Sequence, residues 1–426
     1  MKSAPLFLLM IYLILSVSFA GSDNLQFETF FTADRLGTPA VSPDGNLIAF
    51  TVKKANISEN GYSTQIWLMD RSGNNLRQLT THSASSTNPV FSPDGKCIYF
   101  TSKRTDATQV WKLNLTGGEA LQVTDVYDGV EAFSVSPDGK QLLLQRSVPP
   151  DCPDEASIKE KSEAQTNNPV KARVIDNLMY RHWNSWLEGK YTHLFLYTIE
   201  SKTITDLSPG PKHTPPIALG SSQDFTFSPD SKEISFASNH DKQIAVSTNN
   251  DVFILKPGSD DATKISTSLG NDNGPVYSPD EKFIAYSSME RAGFEADRQR
   301  LFLFNRANGK TSELTQNFTL SIGEIVWHPD AKSIYFTCEE SGNISIYKVP
   351  VSGGEIKSVL KGHYVRGLQF LDKNTLVFAK QSSQMPFEIF SLNLKNTELK
   401  QLTFFNLIHY HIIFIFFLIT AFNKTK

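Results

Sequence analysis

NPVFSPDGKCIYFTS, residues 88–102, decides how this chain is read. Two runs rich in β-branched and aromatic residues flank a four-residue reversal, SPDG, at Ser92–Gly95. Runs of that composition bounded by turn residues read as strands. In the reversal, proline holds φ at about −65° and stands where a strand is ending, so its missing N–H costs no ladder bond. The aspartate can accept hydrogen bonds from nearby backbone N–H groups. The glycine supplies the positive φ that the reversal needs.

The same reversal recurs at Ser42–Gly45 and Ser136–Gly139, with weaker copies SPDS (228–231), SPDE (278–281) and HPDA (328–331). Its aspartates are Asp44, Asp94, Asp138, Asp230, Asp280 and Asp330, and Asp372 in the degenerate QFLDKN makes seven. Where Ser231, Glu281 and Ala331 replace the glycine, the turn is expected to be more strained or of another type. Seven equivalent aspartates around one structure read as turn residues, not catalytic ones.

A second anchor lies downstream. TQIWLMD, TQVWKLN, THLFLYT, NDVFILK, QRLFLFN, ISIYKVP and FEIFSLN align an aromatic at Trp67, Trp111, Phe195, Phe253, Phe302, Tyr347 and Phe390. An aliphatic follows each by 12 positions: Leu79, Val123, Leu207, Ile265, Leu314, Val359 and Leu402. Seven repeats with one fixed offset mark a repeat architecture. Each unit holds four strand-like runs and cannot bury its own faces. Seven arranged radially can, which predicts an all-β, seven-bladed β-propeller over residues 21–403.

One unit is interrupted. From the turn proline to the aromatic, units one to six span 24, 18, 58, 24, 23 and 18 positions. The third therefore carries an insertion, at 147–188, between its second and third strands. Its first part is polar and reads as loop with a little helix. Its second part, ARVIDNLMYRHWNSW, is rich in apolar and aromatic residues. In an up-and-down blade this insertion lies on the face opposite the SPDG turns, and both chain ends lie on the insertion's face. Arg181, His182, Trp183 and Trp186 combine a forked cation with large aromatics, which suits contact with substrate, a carboxylate or a covering domain. The competing reading, preferred here, has Trp183 and Trp186 anchoring the insertion on the disc.

Composition narrows the partners. With 41 basic and 44 acidic side chains the formal charge is −3, which does not favour a nucleic-acid binder. No Cys/His/carboxylate cluster shows metal spacing, so neither metal nor cofactor is expected. Three cysteines, Cys97, Cys152 and Cys338, do not make a disulfide framework. The opening MKSAPLFLLMIYLILSVSFA reads as a signal peptide over 1–20, placing the chain in the secretory pathway or outside the cell. Sequons at Asn56, Asn114, Asn317, Asn343 and Asn423 are glycosylation candidates on that route.

The repeated SPDG propeller, the leader and the YRHWNSW segment (180–186) together resemble the N-terminal propeller of prolyl oligopeptidase-type serine peptidases. Secreted dipeptidyl-peptidase V-type enzymes are the nearest subgroup, with acylaminoacyl-peptidases close by. The resemblance covers 27–403. SPDG turns alone occur in other TolB-like propellers, so YRHWNSW is the more specific mark. It implies a propeller that filters peptide substrates for an α/β-hydrolase domain bearing a Ser-Asp-His triad. No G-x-S-x-G elbow or HGG segment is present, so no catalytic residue carries over. The composition changes abruptly in 404–426, which is read as translated noncoding sequence after a truncation, in preference to a membrane tail over 404–422. The remaining alternative is a non-enzymatic binding propeller, soluble or tail-anchored.

Overall fold

The computed structural model describes residues 27–176, 178–217, 219, 224–259 and 261–406. The signal-peptide segment, Asn423 and residues 407–426 lie outside that range. Among the described residues the strands follow one another in antiparallel units of four, and the last eight strands form a single sheet in which one parallel pair, Ile344 with Tyr364, joins its two halves. The second is Ser86–Phe91, Cys97–Ser102, Gln109–Asn114 and Leu121–Gln122; the last is Tyr364–Asp372, Thr375–Ser382, Met385–Asn393 and Leu399–Gln401. In the first unit the opening strand is broken into Arg35–Leu36 and Ala40–Val41. The insertion separates Gln141–Val148 from Tyr191–Thr198, and its residues Glu155–Asn167 form a helix. Among the described residues no helix is long and apolar enough to cross a membrane.

Neighbouring units pack face to face, and the last packs on the first. Among the described residues no strand is exchanged at that seam. Leu36, Phe50 and Met69 instead form one apolar cluster with Leu371, Val377 and Ile389. Arg366 Nη2 donates to Leu36 O (2.9 Å), Val41 N donates to Gln369 Oε1 (2.9 Å), and Arg71 pairs with Asp372. A β-propeller is therefore present, and side chains join its last unit to its first.

Pairing explains the fixed offset of 12. In every unit the anchor aromatic stands opposite the residue 11 positions later, from Trp67 with Gln78 to Phe390 with Gln401. One position further, the aliphatic N–H donates to the carbonyl just before the aromatic, as Val123 N does to Val110 O (2.8 Å). A third contact was not read from the sequence. In six units a hydroxyl 13 positions after the aromatic accepts the N–H of the residue before it: Thr80, Thr124, Ser208, Ser266, Thr315 and Thr403. Four of these hydroxyls also donate to the side chain two before the aromatic, at Gln65, Gln109, Asp251 and Glu388. The sixth unit has Leu360 at that place and a shifted register. Ser345, two before its aromatic, is buried and has no hydroxyl of this kind to meet.

The SPDG turns take the expected form. Asp44 Oδ1 accepts from Ser42 Oγ (2.6 Å) and from Asn46 N (3.1 Å), and Asp94, Asp138, Asp230 and Asp280 repeat the pattern. The serine hydroxyl lowers the pKa of Asp44, Asp94 and Asp230. Asp330 uses His328 in place of serine, and Asp372 takes Asn374 N and Arg71. Ser231, Glu281 and Ala331 hold φ of 64°, 61° and 58°, beside 69° at Gly45. So the turn type is kept and the strain is accepted. Glycine is compulsory for packing at Gly45, where a Cβ would lie 1.8 Å from Leu371 O on the last unit.

The domain continues past Thr403. Phe405 packs edge-on against Trp67 (ring centroids 4.9 Å) and Phe50 (5.9 Å). Asn406 is fully buried and ties the two ends together. Its Oδ1 accepts from Asp34 N (2.9 Å), its Nδ2 donates to Asp34 O (3.0 Å), and its N donates to Glu388 Oε1 (3.0 Å). Residues 404–406 therefore belong to the fold, because the first and last units need a cover at the seam. Cys97, Cys152 and Cys338 are free thiols, and burial pushes Cys338 up to about 11. Asn114 and Asn317 are exposed, whereas Asn56 and Asn343 are half-buried.

Candidate functional site at the insertion face

The insertion is held by its helix. Asp154 caps the N-terminus by accepting from Ser157 N (2.8 Å), and Ser157 completes a capping box. Glu155, in the first turn, reaches Arg146 on the second strand of the unit. Arg146 is 1% exposed, donates to Tyr127 O (2.7 Å), and lies over the Phe195 ring at 4.8 Å. Glu155 also accepts from Tyr127 N (3.0 Å), Ile158 is buried below, and Ser162 donates to Asp128 (3.2 Å). These residues form the anchor. The expectation that Trp183 and Trp186 anchor the insertion is not met, since their rings are 82% and 46% exposed.

The tryptophans sit instead on a small hairpin, Arg181–His182 paired with Ser185–Trp186. Its two-residue turn puts Trp183 at φ 52°, a conformation that costs a bulky residue about 1–3 kcal/mol. Arg181 Nη1 donates to Trp183 O (2.6 Å) and holds that turn. Trp186, on the other side, stacks on Tyr180 (5.8 Å) and under the Arg173 guanidinium (4.4 Å), which pairs with Glu188. The four predicted residues therefore separate. His182 and Trp183 face the ring's inner cavity, Trp186 borders a second groove of about 840 Å³, and Arg181 supports the turn.

The inner cavity, about 910 Å³, is lined by opening strands of four consecutive units, through Val90, Phe133, Phe225 and Val276. Pro215 and Pro216, from the long link after the third unit, add an apolar rim. Behind the hairpin, burial pushes His213 down to about 4, with help from His193 and His182, so it is neutral and accepts from Thr192 N (3.1 Å). His193 is buried between Asp206 (2.7 Å) and Gly210 O (2.8 Å), in a structural role.

Sequence reading missed Glu295, which lines the same cavity from the loop between the second and third strands of the fifth unit. Asp297 shapes that loop, accepting from Glu290 N (2.9 Å), Arg291 N (2.8 Å), Arg298 N (2.9 Å) and the Arg291 guanidinium (2.9 Å). The available signal was the fifth unit's spacing of 23 positions, against 18 in the second and sixth. Among the described residues no group of three or more His, Cys, Asp or Glu is arranged to hold a metal.

A TolB beta propeller domain model matches residues 31–160. Dipeptidyl-peptidase 5 of Porphyromonas gingivalis is 30% identical over 382 residues, which are 88% of this chain and 55% of that protein. The chain is thus similar to dipeptidyl-peptidase 5 and, over residues 31–160, to the TolB beta propeller domain. It spans about half the length of the curated relatives it matches. The Pyrococcus horikoshii acylaminoacyl peptidase superposes with a TM-score of 0.67 at 18% identity, over 89% of this propeller and 54% of that chain. The propeller domain of the trilobed protease from Pyrococcus furiosus, described as having an open velcro topology, gives 0.60 at 18% identity, over 88% and 98%. At that identity these two establish the fold alone.

Proposed function

We propose that this propeller is the substrate-admitting part of an exported serine exopeptidase of dipeptidyl-peptidase or acylaminoacyl-peptidase type. In this reading the bond-breaking chemistry belongs to an α/β-hydrolase domain outside the residues described, and the propeller is not catalytic by itself. The observation that carries it is the strained hairpin, which sets His182 and Trp183 at an inner cavity wide enough for a short peptide. Asp34 and Asn406, from the first and last units, bond to each other, and the up-and-down order of the strands puts both chain ends on the insertion's face, so a domain joined there would cover the hairpin. Export would proceed through the leader at 1–20, with glycans on the exposed sequons. The test is to sequence the mature transcript and assay its product on dipeptidyl reporter substrates. The expected frame runs into a segment with a G-x-S-x-G elbow, and the longer product cleaves the reporter while the 426-residue chain does not. Reporter cleavage by the 426-residue chain would overturn the proposal. So would a mature transcript that ends with this tail, which would favour a non-enzymatic binding propeller.

A further inference from the structure

The lining of the inner cavity is electrically one-sided. It includes two carboxylates, Asp224 and Glu295, and neither a lysine nor an arginine among the described lining residues. Asp224 is buried and accepts from Gly274 N (3.1 Å), so its carboxyl is part of the fixed wall. Glu295 is exposed and has no ion pair among the described residues. Several cations on this face are paired, Arg173 with Glu188, Lys190 with Asp128 and Arg291 with Asp297, and Arg181, Lys212 and Lys242 lie outside the lining of this cavity. Two pre-shaped tips thus line one cavity. One presents an indole, 82% exposed, on a backbone that Arg181 holds in the left-handed region. The other presents a free carboxylate on a loop that Asp297 ties down. The walls between them, Val90, Phe133, Pro215 and Val276, are apolar and strengthen the field inside.

An indole face attracts organic cations, and a planar guanidinium also stacks on it. A carboxylate adds a charge-assisted hydrogen bond. We infer that Trp183 and Glu295 form a receiving site for a basic side chain, lysine or arginine, of a peptide entering the cavity. This rests on the substrate-admitting reading above and adds the chemical class of the peptide.

The test titrates the full 426-residue chain with matched tetrapeptides by calorimetry. The peptides differ at one position, lysine or arginine against norleucine, and each is made with a free and an acetylated N-terminus. Basic peptides are expected to bind about tenfold more tightly than norleucine peptides, acetylated or not. Glu295→Gln should abolish most of that preference and Trp183→Leu should reduce it, with Trp183→Tyr restoring part. Circular dichroism melting confirms that each variant is folded. Equal binding of basic and norleucine peptides would overturn this inference and leave the substrate-admitting reading standing. A preference that survives Glu295→Gln, or that disappears on acetylation, would also overturn it. Failure of every peptide to bind would remove both.

Discussion

Replacing Thr124 by valine isolates the hydroxyl latch found in six units. Thr124 is fully buried. Its Oγ1 accepts from Val110 N (2.9 Å) and donates to Gln109 Oε1 (2.7 Å). Valine keeps the shape and removes both bonds. It leaves a buried N–H without its acceptor and takes one donor from Gln109 Oε1, which still accepts from Val126 N (3.3 Å) while Nε2 donates to Val126 O (2.8 Å). An abandoned buried polar group costs about 1–3 kcal/mol, so the pair should cost about 3 kcal/mol in all. The sixth unit supplies the control. Ser345 is also buried but takes no part in such a latch, so Ser345→Ala should change stability by less than about 1 kcal/mol. Urea denaturation of the chain and the two variants measures both effects as midpoint shifts at unchanged slope. If Thr124→Val and Ser345→Ala fall within about 0.5 kcal/mol of each other, the latch does not stabilise the blade and the reasoning fails.

Further outcomes are expected elsewhere. Glu155→Ala strands the buried Arg146 guanidinium, which should cost about 3–5 kcal/mol and free the insertion; limited proteolysis should then cut between 149 and 190 well before the disc is attacked. Gly139→Ala meets only Pro93 at 3.6 Å, whereas Gly45→Ala drives a methyl onto Leu371 O. Thermal melting should show a loss of about 1 kcal/mol for the first and clearly more for the second. Burial pushes Asp272 up to about 7, against the opposing pull of nearby serine groups. Because the folded state then holds a proton that the unfolded state releases near pH 4, stability present in acid is lost as pH rises towards 7. Asp272→Asn should flatten that decline, and denaturation midpoints at about pH 4.5 and about pH 7.5 test the point.

Much of the fold was legible because its cause is local and repeated. The proline, aspartate and glycine of each reversal act on their own backbone, so Asp44 and Asp94 could be understood before any packing was known. The offset of 12 was legible for the same reason, since one hairpin between the third and fourth strands sets it. The hydroxyl one position further was overlooked: a threonine or serine after an aliphatic looks like ordinary strand composition until its partner, 14 residues back, is known. The end of the domain was misplaced because the composition of 404–406 matches that of 407–426, whereas the burial of Asn406 depends on Asp34, far away in sequence.

Taken alone, the sequence determined the four-strand unit, its sevenfold repetition and the interrupted third blade. All of these follow from turn chemistry and short-range pairing. Only the tertiary structure decided what the insertion does. A tryptophan reads equally well as an anchor or as an exposed contact, because its apolar area suits either, and the choice depends on what lies opposite. Arg146, Ile158 and Ser162 give the helix its seat, which leaves Trp183 free at the cavity. Glu295 faces the same cavity, although 112 positions separate it from Trp183. Ring closure is what brings such distant loops to one opening, and no local pattern encodes that meeting.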